Sequence, residues 1–437
     1  MQKHNVAKSI KSILCLSLLG GGSSSLADTS LSDQMNSLFG PTGIFLTNQP
    51  SPPAAGGGPT IPHTAHFSSE SLATLGLLVE TLAPNAAEFP SISTVPGFTY
   101  TFNPEIQTFE RSSSMGPVYF ERPQSLGAGK FGLGLAYAYV NFEELEGQDL
   151  DGLSFLGLQH NDCCVGPPSA GVPGFERDTA DLFFDEFDLT SQVLSFFGTF
   201  GITDRWDVNI LVPVVFTSLD VTARAVLNDE SQSDTHFFDD ARTVTQQTRF
   251  IDDDKTGVGD LLLRTKYHFY EAPGLNMASA LTLRVPTGDE DNFQGLGDFT
   301  VTPFFSLAHE RGPFDLHIGA GVEVNTDDLD RSRVRYAAGV TYQMLQRVAL
   351  LLDVIGSSGI KTQELSVAAP TFLGGSTVPT GSVVRTTELR TDLVDLAVGL
   401  KANVAESMVG FITFFVPLND EGLRAEVIPA AGLEMSF

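Results

Sequence analysis

Three features of the sequence predict an all-β fold, a transmembrane antiparallel up-and-down β-barrel of about twelve strands preceded by an N-terminal extension with a short helix. Hydrophobic residues alternate with period two over much of the chain, an export signal opens it, and short connections alternate with long ones.

The export signal occupies residues 1–27. Lys3, Lys8 and Lys11 form a basic region, Ile13 to Leu19 an apolar run, and Ser25-Leu26-Ala27 a small-residue site, which places cleavage after Ala27. Cys15 follows Leu14, where a lipoprotein signal needs a small residue, so lipidation is not expected. No other stretch has the roughly 18 uninterrupted apolar residues of a membrane helix. A mature protein of this kind is therefore either soluble outside the cytoplasm or a barrel, the other way to satisfy every backbone polar group in lipid. Losing three leader lysines and no acid takes the net charge from −28 to −31, which argues against nucleic acid as a partner. Cys163 and Cys164 are adjacent and cannot staple a large domain. They form either a vicinal disulfide or two separate thiols.

Residues 28–129 read as an extension. Gln49 to Pro62 is a linker rich in Pro, Gly and Ala, while Ser68 to Leu82 carries a serine cap, Glu70 in its first turn and helical apolar spacing. Such a segment plugs the lumen, lies under it, or packs on the periplasmic side. Phe98 to Glu110 and Pro117 to Arg122 have strand-like patches, and a hairpin there makes fourteen strands the alternative.

Residues 130–437 supply the barrel. Strands are expected at 130–144, 184–202, 205–227, 256–270, 274–287, 297–310, 313–326, 331–345, 347–360, 388–404, 407–419 and 422–437. In 313–326, Phe314, Leu316, Ile318, Ala320, Val322 and Val324 alternate with Asp315, His317, Gly319, Gly321, Glu323 and Asn325. A soluble sandwich alternates too, but it has no reason to sort its loops by length. Here Thr203-Asp204, Glu271 to Pro273, Arg311-Gly312, Gln346 and Ala405-Glu406 are tight, and most intervening connections are long, the pattern of periplasmic turns against outer loops. Trp206 falls at a turn, where an amphipathic ring suits either the membrane interface or ordinary packing. Phe437 falls on the outward face of the last strand.

The inward faces hold the candidate site residues: Asp260, Arg264, Lys266, His268, Arg284, Asp315, His317, Glu323, Arg333, Arg335, Asp395, Arg424 and Glu426, with Asp207, Asp353, Lys401 and Glu434 beside them. Mixed charges there either define a polar path that selects solutes or pair off and fill the interior. Acid clusters such as Asp252 to Asp254, Asp289 to Asp291 and Asp327 to Asp330 mark the loops. None matches a complete calcium loop, and solvated loops explain them more simply. No nucleophile motif flanks a serine, and His63 and His66 are a weak metal pair, so neither catalysis nor a cofactor is expected.

Four stretches, FGITDRWDVNILVPVV (Phe200 to Val215), GVGDLLLRTKYHFY (Gly257 to Tyr270), LRVPTGDEDNFQGLGDFTVTPFFS (Leu283 to Ser306) and the ending GLEMSF, resemble the MetA-pathway of phenol degradation family of outer-membrane proteins. The resemblance runs from Gln124 to Phe437. It implies a channel or transporter for small, hydrophobic or aromatic molecules in the bacterial outer membrane, without assigning substrate residues. The alternative expectation is a closed structural barrel whose acidic loops meet surface partners. Either way the expected partners are outer-membrane lipid and lipopolysaccharide, an unidentified small solute, and the barrel-assembly machinery through the strand ending in Phe437.

Overall fold

The computed structural model describes residues 29–39, 46, 82, 86, 100–103, 108–111, 117–119, 121–159, 179–228, 236–361, 363–371, 381–389, 392–405 and 407–437. Twelve strands close on themselves. They are β1 (Phe131–Phe142), β2 (Thr179–Thr203), β3 (Trp206–Asn228), β4 (Leu261–Ala272), β5 (Leu275–Val285), β6 (Thr300–Arg311), β7 (Phe314–Asn325), β8 (Arg333–Leu345), β9 (Val348–Gly359), β10 (Leu393–Ala405), β11 (Met408–Pro417) and β12 (Ile428–Ser436). Each pairs antiparallel with the next, and β12 pairs with β1. At that seam Phe437 N–H donates to Phe131 O at 2.8 Å, and Phe131 N–H returns the bond at 3.1 Å. Closure removes the unpaired edges that lipid would penalise.

Alternation sets the two faces. Along β7, Phe314, Leu316, Ile318 and Val322 are exposed while Asp315, His317, Glu323 and Asn325 are buried. A twelve-residue strand such as β7 is about 40 Å long, and a tilt of about 40° leaves roughly 30 Å of height, enough for the apolar band of a membrane barrel. No helix among the described residues is long and apolar enough to cross a membrane, so any crossing is made by strands.

One rim carries the tight turns. Pro273 followed by Gly274 at φ +74° is the arrangement of a type II turn, and Gly312 at φ +62° before Pro313 fits a type II′ hairpin. Exposed aromatics cluster at this rim: Phe131, Trp206, Tyr267, Phe314, Tyr342 and Phe437. Phe314 stacks on Tyr342 at 4.9 Å, and Trp206 Nε1 donates to Thr265 Oγ1 at 2.7 Å. A girdle of aromatic side chains, with Trp206, Tyr267 and Tyr342 as its amphipathic members, is the mark of a membrane interface in a barrel.

The opposite rim carries the loops, and β2 and β3 run 25 and 23 residues to stand beyond it. There Ser154–Gln159 pairs with β2 and Gln246–Val258 with β3. The two extra strands of the sheet therefore come from loop-rim segments. The patches at Phe98 to Arg122 do not supply them: Tyr100–Asn103 and Thr108–Arg111 pair only with each other, and Pro117 to Tyr119 is not strand. The expected strand 256–270 is broken at Gly259-Asp260, where the Asp260 carboxylate accepts Gly288 N–H at 3.1 Å and Leu296 N–H at 2.8 Å. The last strand starts at Ile428 because Leu423-Arg424 pairs instead with Glu144-Leu145. A further hairpin, Gln363–Thr371 with Gly381–Leu389, pairs separately from the barrel sheet, and β10 begins only at Leu393.

A helix, α1 (Leu31–Asn36), packs under the loop-rim sheet. Leu31 and Met35 are fully buried against an apolar cluster that includes Leu182, Phe184, Leu219, Val221 and Phe293. Polar bonds fix its place: Leu31 N–H donates to Asn292 Oδ1 at 3.1 Å, Ser32 Oγ to Asp291 Oδ1 at 3.0 Å, and Gln34 Nε2 to Asp253 Oδ2 at 2.5 Å. The leader, the linker at Gln49 to Pro62, the His63–His66 pair, nearly all of the Ser68 to Leu82 helix, and Cys163-Cys164 lie outside the described residues.

Candidate functional site: the barrel lumen

Inward positions of neighbouring strands form two tiers of polar side chains. Near the turn rim, Lys266 on β4 lies opposite Asp207 on β3 in register. Its Nζ is 3.8 Å from Asp207 Oδ2 and 3.1 Å from Glu121 Oε1. His268 contacts Asn276 Oδ1 through Nε2 at 3.1 Å. On the far wall Lys401 of β10 reaches across β11 to Glu434 of β12 at 3.3 Å, both side chains fully buried. His317 of β7 reaches Asp353 of β9 at 2.7 Å. The intervening strand makes that reach possible, because the residue between them is Gly339. A Cβ there would lie 2.0 Å from Asp353 Oδ1 and 2.7 Å from His317 Nε2.

A chain segment crosses this tier. The Arg122 carbonyl accepts from Lys266 Nζ at 2.8 Å and the Pro117 carbonyl from Lys401 Nζ at 3.4 Å. Gln124 Nε2 donates to Glu310 Oε1 at 2.8 Å, while Ser125 Oγ and Leu126 N–H both donate to Asp207. Tyr119 meets Phe415 edge-on at 4.6 Å. Arg122 is fully buried, within electrostatic reach of Asp315, Glu310 and Glu434. Residues 117–119 and 121–126 thus bridge the lumen from β10–β11 to β3–β4, and the chain turns into β1 against Gly201. A Cβ on Gly201 would come within 1.9 Å of the Gly127 carbonyl oxygen, so that close approach needs glycine.

Above the bridging segment lies a cavity of about 200 Å³. Tyr119 and Glu121 bound it on one side, and Val140, Phe142, Leu423 and Ala425 on the other. Its polar lining includes Arg264, Arg284, Thr300, Thr302, Glu323, Arg335, Ser357, Asp395 and Arg424. Arg335 Nε donates to Glu323 Oε2 at 2.8 Å, and Arg424 Nη1 is 3.2 Å from Asp395 Oδ1. Arg424 also donates to the Val394 and Asn419 carbonyls at 3.0 and 3.1 Å.

Of the expected residues, Lys266, His268, Asp315 and His317 are buried in the lower tier, and Arg264, Arg284, Glu323, Arg335, Asp395 and Arg424 line the cavity. Arg333 is buried at the loop-rim end of β8, opposite Glu323 in register. Asp260 is buried but ties down the 286–299 loop. Glu426 is exposed, in the bend before β12. Sequence reasoning missed Tyr119, Glu121, Arg122, Gln124 and Ser125, because an irregular segment that lends single side chains and carbonyls has no period to detect. Of the acid clusters, Asp252 to Asp254 lie in the strand Gln246–Val258 rather than in a loop, whereas Asp289 and Asp328 cap turns. Asp289 accepts from Asp291 N–H at 3.1 Å and Asp328 from Asp330 N–H at 3.0 Å. Outside the membrane span, burial first and then neighbouring Asp291 and Asp298 push the Glu290 carboxyl up. Among the described residues no group of three or more metal-ligating side chains gathers.

Residues 172–353 match the model of the family described as "Putative MetA-pathway of phenol degradation". The motifs read from the sequence resemble this same family. Three of the four motifs fall inside the matched residues, and the ending GLEMSF lies beyond them. The MetA-pathway match thus runs from β2 and the segment just before it into β9, and includes Lys266, Arg284 and the 286–299 loop. No curated protein matches the chain in sequence. Among solved structures, the COG4313 outer membrane channel from Pseudomonas putida F1 is 13% identical at a TM-score of 0.42, over 72% of this chain and 97% of that one. The CymD monoaromatic hydrocarbon channel is 11% identical at 0.33, over 72% and 91%. A Pseudomonas aeruginosa FadL homologue is 10% identical at 0.30, over 70% and 89%. Likeness this low adds nothing to the strand order already described.

Proposed function

We propose that this protein is an outer-membrane channel for small hydrophobic or aromatic molecules, with residues 117–126 as a releasable plug. The observation that carries this reading is the way the plug is held. Its anchors are mostly hydrogen bonds and ion pairs to Lys266, Lys401, Glu310 and Asp207. Such bonds exchange with water at a net cost of about 0.5–1.5 kcal/mol each, or about 1.5–3 kcal/mol where a charge takes part. A segment held this way opens locally at less expense than a packed core. The apolar belt, the aromatic rim and the sorting of turns from loops support an outer-membrane location with the turns facing the periplasm. Lipid and lipopolysaccharide around the belt, and assembly machinery engaging β12, belong to the same reading.

The test is ion conductance of the refolded mature protein in a planar bilayer. A deletion of Asp28 to Pro96 leaves the bridging residues in place, so the informative variant lacks residues 28–125. It is expected to give discrete, larger steps where the full chain gives small or rare ones. A correctly inserted deletion variant that stays silent overturns the channel reading and favours a closed structural barrel.

A further inference from the structure

We propose that the cavity above the plug binds a small organic carboxylate with an apolar ring, and that Arg284 is the group that holds the carboxylate. The inference rests on the channel reading and narrows its solute class. Arg284 is only 8% exposed and lines the cavity, yet its Nη1 is buried with no hydrogen-bond partner among the described residues, and Glu323, which Arg335 bonds directly, acts on it only through space. A guanidinium taken out of water without a partner is costly, and a buried charge is normally paired. The acids in the same lining already have cations beside them: Glu323 with Arg335, Asp395 with Arg424, and Glu121 with Lys266. Arg284 and Arg335 also act on Arg264 as like charges. Four arginines against three carboxylates leave the lining with a surplus positive charge, in a protein whose net charge is −28.

Two further donors point the same way. Thr300 Oγ1 and Ser357 Oγ are buried in the same lining and have no hydrogen-bond partner among the described residues. Thr300 is the register partner of Arg284, so its hydroxyl and that guanidinium sit side by side on one face. A planar guanidinium beside the Thr300 hydroxyl suits a carboxylate, which accepts through two oxygens, and Ser357 adds a donor elsewhere in the lining. The one positive charge in excess of the three lining carboxylates matches one negative charge. Much of the remaining wall is apolar, from Tyr119, Phe304, Tyr336, Ile355 and Phe415. An apolar cavity of about 150 Å³ holds benzene, so about 200 Å³ accommodates a single ring with its acid group.

The experiment is calorimetric titration of the refolded full-length mature protein with benzoate, with its uncharged isostere benzamide, and with acetate, which has the charge and no ring. Benzoate is expected to bind one to one and more tightly than either. Arg284→Gln is expected to lower the benzoate-to-benzamide affinity ratio by about tenfold or more, the loss of a charge-assisted bond. If that variant does not fold, Thr300→Val with Ser357→Ala keeps the charge and is expected to weaken benzoate binding several-fold. Equal affinity for benzoate and benzamide overturns the proposal, and so does an unchanged ratio in Arg284→Gln or unchanged binding in the double variant. Liposome uptake separates this result from the channel reading. Passage of benzamide without benzoate binding keeps the channel and removes the carboxylate site, whereas benzoate binding without passage keeps the site and removes the channel.

Discussion

Lys266 sits in a wall position that admits a cation because acceptors converge on it from two directions. Asp207 faces it from the next strand, and Glu121 and the Arg122 carbonyl come from the plug. Replacing it by methionine leaves two carboxylates without their cation in a dry interior. Breaking a buried pair from one side costs about 3–5 kcal/mol, so Lys266→Met is expected to lower the urea midpoint of the folded barrel markedly. An unchanged midpoint would show that Glu121 and Asp207 are satisfied by other groups. Gly339 makes the complementary point. His317 and Asp353 meet across a strand only because the residue between them has no side chain.

At the scale of elements, α1 and the upper halves of β2 and β3 depend on each other. A six-residue helix has little stability of its own. The projecting sheet, in turn, has an apolar face at Leu182, Phe184, Leu219 and Val221 that needs cover. Burying an aliphatic side chain contributes about 1.5–3 kcal/mol, so Leu31→Asp with Met35→Asp should release the helix while the barrel stays closed. Limited proteolysis reads this out, with new cleavage near the N-terminus and a resistant barrel fragment. Resistance equal to that of the parent would mean that the three polar bonds to Asn292, Asp291 and Asp253 hold the helix without its apolar face.

For the whole molecule, the inside–outside arrangement is that of a protein in lipid, with exposed apolar side chains around the wall and paired charges within. Ile318 lies in the middle of β7 and is 55% exposed. An arginine on the lipid face near the bilayer midplane costs about 2–4 kcal/mol, and Ile318→Arg is expected to lose that much in reversible unfolding from vesicles. The same change would be nearly neutral if this face met water, so a null result would contradict the membrane placement.

Strand existence and orientation were legible in the sequence because they are local. Period-two alternation in Phe314 to Asn325 fixes which residues share a face, and Gly and Pro at 273–274 and 312–313 fix where the chain turns. Where local pattern and pairing disagree, pairing decides. Residues 422–427 alternate like a strand, but Gly422 at φ +73° and the pairing of Leu423-Arg424 with Glu144-Leu145 take them out of β12, which leaves Glu426 exposed. The segment around Arg122 has no period, so only the tertiary structure reveals that it crosses the lumen. Nor can the sequence tell Arg284 from Arg335, since both are arginines on inward faces. The difference arises because Glu323 accepts a hydrogen bond from Arg335, while Arg284 acts on it only through space and keeps a buried Nη1 without an acceptor. The sequence by itself determined most of the strands and their faces, because these follow from neighbours along the backbone. Which charges meet, what crosses the lumen and where a cavity remains are decided across strands, by register and closure, and only the tertiary structure contains that information.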